Sequence, residues 1–121
     1  MAKSILTKYE QYSVFSGSPA QCMHHCIFGK GSFWRKLSEQ YGLKIPLLNS
    51  EHNASSQGTI HQIHDNIAAE KLSKMLGQVA YEEHYLAEKL ASGEPLGHQS
   101  VEDWMSEARE DFRKTFGESF L

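Results

Sequence analysis

The chain predicts an α+β fold, and three observations carry that expectation. Short apolar runs of strand length, broken by turns rich in glycine and proline, are confined to the first fifty residues. A helical apolar period then runs from Ile60 to about Ala91. A second amphipathic stretch follows, with Val101, Trp104, Ala108, Phe112 and Phe116 on one face. At 121 residues, 40% of them hydrophobic and 22% charged, the chain has the composition of one globular unit with a real core.

Taken in order, Tyr12 to Pro19 reads as a short strand and a turn, because Gly17, Ser18 and Pro19 interrupt regular structure. Met23 to Phe28 is a strand candidate, ended by Gly29-Lys30-Gly31. Ser32 is placed to cap a helix from Phe33 to Tyr41, and Gly42 stands where a left-handed C-terminal residue belongs. Leu43 to Leu48 is a further apolar strand, and Pro46 assigns it to an edge or a strand end. Asn49 to Gly58 is a polar loop or short helical turn that carries His52 and Asn53. In the long helical stretch, Ile60, Ile63, Ile67, Met75, Leu76, Val79, Leu86 and Leu90 are the apolar positions, and Gly77 weakens the middle. Residues 92–97 break it before the last helix.

Charge is divided unevenly. Residues 1–50 hold six Lys/Arg against two acids, or +4, while residues 51–121 hold six against thirteen, or −7. A basic surface in the first half keeps a phosphate-backbone partner open despite the overall −3. No apolar run of about 18 residues exists, so no membrane span is expected, and without a signal-like start the expected location is the cytoplasm. Cys22 and Cys26 stand four apart, about 13 Å on a strand, beyond the roughly 7 Å that a disulfide spans, so free thiols are expected.

Four of the seven histidines, His24, His25, His52 and His61, fall within 38 residues. Neutral imidazole is the commonest metal ligand and the natural base near neutral pH. A metal-dependent phosphodiesterase needs both functions. Adjacent strand residues face opposite ways, so His24 and His25 are expected to divide the roles between them. His84 and His98 read as ordinary surface histidines, and His64 stays open as a neighbour of His61 on one helix face.

An ordered set of motifs links these residues. The chain shows His24-His25-Cys26-Ile27-Phe28-Gly29-Lys30-Gly31, then Arg35-Lys36-Leu37-Ser38-Glu39-Gln40-Tyr41-Gly42-Leu43, then His52-Asn53, Ile60-His61 and a closing Phe116-Gly117-Glu118-Ser119-Phe120-Leu121. In this it resembles the small phage-borne HNH (His-Me finger) endonuclease-like proteins, over nearly the whole length apart from about residues 87–108. The resemblance implies a ββα-metal core with additional C-terminal helices: an HNH-like finger over 1–64, with two short strands, a short helix and a histidine-rich loop, and a helical extension over 65–121 packed on it as one unit. It implies His25 as general base, with Asn53 orienting it, and His24, His52 and His61 as metal ligands. Lys30, Arg35 and Lys36 become the nucleic-acid contacts, Arg35 foremost because its guanidinium forks onto phosphate oxygens. For Arg35 the alternative is an i,i+4 pair with Glu39 on the helix surface.

The implied cofactor is a divalent metal, Mg²⁺ first, with Mn²⁺, Ni²⁺ or Zn²⁺ as alternatives. The implied partner is double-stranded or branched DNA, and Trp104, Phe112, Phe116 and Phe120 are expected in the core or in a homodimer contact. The competing expectation keeps the HNH fold without catalysis, as a phage interaction protein that inhibits a host nuclease or binds DNA; a histidine-rich metal sensor is the third. The chain departs from the family where a Cys-x-x-Cys-Gly knuckle belongs: Ser13, Ser16 and Gly17 stand there, with Asn49 and His52 at the later positions. Hydroxyls do not replace thiolates, so no four-cysteine zinc site is expected and the knuckle becomes a metal-free turn. A site built on Cys22 and Cys26 is disfavoured by their spacing, and they read as small buried hydrophobes.

Overall fold

In the computed structural model, residues 2–52, 67–92 and 101–121 are described. The architecture is α+β. Strand β1 (Cys22–His25) pairs antiparallel with β2 (Lys44–Leu47), and helix α1 (Phe33–Tyr41) lies between them in sequence. One turn of helix, α2 (Asn49–His52), leaves β2, and two longer helices, α3 (Ile67–Ala91) and α4 (Val101–Phe116), complete the described structure. No helix among the described residues is long and apolar enough to cross a membrane.

The short strand expected within Tyr12 to Pro19 does not form; a single bridge joins Tyr12 to Pro19. Its backbone groups turn inward instead, Ser13 N–H bonding the Ser18 carbonyl at 2.8 Å and Gly17 N–H the Ser13 carbonyl at 2.9 Å. The side chain of Ser13 completes this turn. Its Oγ accepts the amides of Phe15 (3.1 Å) and Ser16 (3.3 Å) and donates to Glu51 Oε1 (2.6 Å). The same carboxylate oxygen accepts the Leu48 amide at 2.7 Å, so a hydrogen-bonded clasp ties the turn to the end of β2.

β1 stops at His25, earlier than the apolar run; the Cys26 amide still bonds the Leu43 carbonyl at 2.8 Å, and beyond it side chains satisfy the backbone. Ser38 Oγ accepts from the Ile27 amide (3.2 Å) and donates to the Ile27 carbonyl (2.7 Å), while Ser73 Oγ donates to the Cys26 carbonyl (2.7 Å). Pro46 sits inside β2 opposite Met23. A two-stranded sheet has only edges, and Pro46 needs no N–H there; its carbonyl accepts the Val14 amide. α1 ends as expected, on Gly42 in the left-handed conformation, where a side chain would also collide with the Lys3 carbonyl. Ser32 precedes the helix but its side chain makes no capping bond.

Trp34, Leu43, Ile45, Leu47, Tyr81, Phe112 and Phe116 form the core with Cys26 and Ile27. Phe112 and Phe116 stack at 4.5 Å, Trp34 meets Phe120 edge-on at 5.3 Å, and Trp34 Nε1 donates to the Phe116 carbonyl at 2.9 Å. Phe112, Phe116 and Phe120 are thus intramolecular packing groups, and Trp104 is half-buried outside that cluster.

α3 is oriented against its own periodicity. Leu72, Leu76, Val79 and Leu90 are exposed, while Ser73, Gly77, Gln78, Tyr81 and Glu82 face inward. Gly77 explains the contact: a Cβ there would stand 2.8 Å from Ile27 Cγ1 and 3.0 Å from Cys26 Cβ. The helix backbone rests on the end of β1, which only glycine allows. Gln78, fully buried, satisfies its amide by donating to Glu82 (2.7 Å) and Ser119 (2.9 Å) and accepting the Phe120 amide (2.6 Å).

Candidate functional site

β1 sends His24 and His25 to opposite faces, and each imidazole meets a different kind of partner. His24 is 1% exposed and faces α3, where its Nε2 lies 2.8 Å from Ser73 Oγ. The single hydroxyl proton of Ser73 goes to the Cys26 carbonyl. Ser73 must therefore accept from His24, which places a proton on Nε2. The His24 ring stands edge-on to Phe28 at 5.3 Å and to His52 at 5.0 Å between centroids. α2, a single turn closed by His52 N–H to the Leu48 carbonyl, delivers His52 to this position.

His25 faces α1. Its Nε2 is 2.9 Å from Glu39 Oε1, and Glu39 Oε2 accepts from Lys44 Nζ at 2.7 Å. Lys44 is opposite His25 in the strand register, and its side chain is only 5% exposed, so the carboxylate is its compensating charge. The Lys44 ammonium, and after it the hydrogen bond from His25, hold the Glu39 carboxyl below its usual range. A carboxylate can only accept, so His25 is an Nε2–H tautomer with its lone pair on Nδ1.

Lys30, Arg35 and Lys36 are exposed. Arg35 and Lys36 lie four and three residues before Glu39, which puts them one helical turn away on the same side of α1. Glu39 bonds His25 and Lys44, the ion pair that sequence reasoning had offered to Arg35. Lys30 holds a positive φ of 54° in the turn before α1 and lies over the Trp34 ring at 5.8 Å.

Of the six histidine and asparagine positions singled out, the structure brings His24 and His52 together and sets His25 on the other face. Asn53, His61 and His64 lie outside the described residues, as does His98. His84 is exposed and pairs with Glu88 at 2.9 Å on the surface of α3. Among the described residues no three His, Cys, Asp or Glu side chains gather into a group that could hold a metal ion. Cys22 and Cys26 are free; burial pushes the Cys26 thiol up to about 12, which keeps it protonated and unreactive.

Three site residues escaped sequence reasoning. Ser73 is hidden in a helix with no motif of its own. Glu39 and Lys44 had a legible signal: pairing the His24-His25 strand with the next apolar strand brings a lysine opposite His25, and a lone buried lysine calls for a carboxylate nearby. Comparison with known proteins adds no relative: no family model, no curated protein and no solved structure matches this chain.

Proposed function

We propose that the chain is a metal-dependent DNA endonuclease of the HNH type, built on a ββα-metal core and of phage or prophage origin. The observation that carries this reading is the division of labour in β1: one histidine is turned inward beside a second imidazole, and its neighbour is turned to the charged face with its basic nitrogen set by a carboxylate. His24 and His52 are the described residues assigned to a divalent cation, because their imidazole rings stand 5.0 Å apart between centroids and imidazole is a common metal ligand. His61 is assigned as the third ligand, and Asn53 as a residue that orients the base, on the motif. Bound there, Mg²⁺, Mn²⁺, Ni²⁺ or Zn²⁺ supplies positive charge for the oxygen that leaves phosphorus.

The protein's own part is to activate water and to hold the phosphate. His25 takes one proton from water as its oxygen forms the new bond to phosphorus, one ester P–O bond breaks, and the departing oxygen is protonated from solvent. Arg35 and Lys36, one turn from the partner of His25, and Lys30 in the turn before α1, contact the backbone phosphates. The test incubates purified protein with supercoiled plasmid and with branched DNA in each of the four metals. Nicking or cleavage that is lost in chelator and in His25→Ala is the expected result; DNA left intact in all four metals overturns the reading.

A second reading keeps the fold without catalysis, as an interaction protein that binds a host nuclease or its DNA. The exposed apolar residues of α3 favour it, since Leu72, Leu76 and Val79 at helical spacing form an apolar strip on the surface. Inhibition of a nuclease that survives His25→Ala is the result that selects this reading over the first.

A further inference from the structure

Resting on that reading, we propose that Glu39 is the positioning residue for His25 and that Nδ1 of His25 is the atom that takes the proton from water. Three contacts make the arrangement stiff. Ser38, the residue before Glu39, bonds both the amide and the carbonyl of Ile27, two residues after His25. The Ser38 carbonyl accepts the Leu43 amide at 2.8 Å, which joins the last turn of α1 to the start of β2. Lys44, opposite His25 in the ladder, draws the second oxygen of Glu39 to 2.7 Å.

Glu39 is therefore held from three sides: by its own helix, by the Ile27 backbone through Ser38, and by a buried ammonium. Its remaining oxygen, Oε1, meets His25 Nε2 at 2.9 Å. A counter-ion for Lys44 alone would need no imidazole at its other oxygen. With both oxygens committed, Glu39 fixes the rotation of the His25 ring as well as its tautomer. Nε2 is spent on the carboxylate, and Nδ1 is the nitrogen available to chemistry. Preorganisation of this kind spares the reaction a search for the competent ring orientation.

The arrangement is broken most cleanly by Glu39→Gln, which preserves shape. Lys44 can only donate, so the amide oxygen turns to it and the amide NH₂ turns to His25. Nε2 must then accept, and the ring proton moves to Nδ1. Nitrogen-15 shifts of the His25 ring, read on the neutral imidazole in metal-free protein, are expected to show Nε2–H in the wild type and Nδ1–H in Glu39→Gln. In the cleavage assay Glu39→Gln is expected to lower kcat about 100- to 10,000-fold. Its KM for DNA should stay within about threefold, since no phosphate contact is lost.

Lys44→Met is the companion variant: the carboxylate still accepts from His25, so the Nε2–H tautomer persists and kcat falls less than in Glu39→Gln. A wild-type His25 found as Nδ1–H, or a folded Glu39→Gln that keeps wild-type kcat, overturns the proposal. The two readings fail separately. A protein inert on every DNA with every metal sinks the nuclease, while the ring shifts still decide whether Glu39 governs His25.

Discussion

The two faces of β1 solve one problem with opposite chemistry. On the inner face, His24 is closed in by Phe28, His52 and Ser73, and a relay through the uncharged Ser73 to the Cys26 carbonyl holds its Nε2–H. On the outer face, His25 remains 23% exposed in its side chain, and a charged relay through Glu39 to Lys44 does the same. A buried neutral relay contributes to stability, because each unmade bond there costs the full desolvation of its groups. At the His25–Glu39 end, which water reaches, the ionic relay contributes orientation more than stability, because water screens it. The strand thus keeps a buried histidine bonded to a hydroxyl and a partly exposed one bonded to a carboxylate side by side.

The largest expected effect comes from truncating each histidine in turn. His24→Ala removes a ring packed on three neighbours and the donor to Ser73 Oγ, which keeps its own bond to the Cys26 carbonyl, and costs about 2–4 kcal/mol. His25→Ala leaves a solvated site and costs about 1 kcal/mol or less. Urea unfolding of the two variants measures the difference, and equal losses would erase the distinction between the faces.

A smaller effect, on the outer face alone, is expected in acid. The folded-state pKa of Glu39 is depressed by Lys44 and His25, so its contribution to stability is present above the ordinary carboxylate value and is lost as pH falls through the folded value. Exposure of 33% on the Glu39 side chain keeps that contribution to about 1 kcal/mol or less. Wild type should exceed Glu39→Gln in melting temperature at pH 7 and the gap should close toward about pH 3. A gap that widens in acid would mean that the carboxylate is destabilised in the folded state.

Much of the strand and helix order was legible because local chemistry decided it. Gly42 ends α1 where a left-handed residue is required, and Pro46 marks a strand with no inner neighbour. The strand expected at Tyr12 was lost to a side chain: Ser13 gathers the local amides and passes its proton to Glu51, a partner 38 residues away that no local pattern predicts. The site was half legible for the same reason. Histidine spacing pointed to His24, His25 and His52, but the partners of the first two, Ser73 and Glu39, are polar residues of helices, which an apolar period does not report. Periodicity assigns apolar positions to the core, and in α3 the core takes Ser73, Gly77, Gln78 and Glu82 because close backbone approach and hydrogen bonds, rather than apolar area, hold that contact.

The smallest expected effect tests that reversal on α3, where inner and outer faces again differ. Leu76 is 51% exposed although it belongs to the helix's apolar series, and the next residue, Gly77, is buried against Ile27. Leu76→Ser gives up little buried area and a few tenths in helix propensity, so a change of about 0.5 kcal/mol or less is expected in chemical unfolding. Gly77→Ala, one residue on, forces Ile27 to move and costs about 1–3 kcal/mol. If Leu76→Ser instead costs as much as Gly77→Ala, the outer face of α3 is covered in solution. Repeating the unfolding at several protein concentrations then identifies the cover: a midpoint that rises with concentration means a second chain, and a constant one means a segment of the same chain.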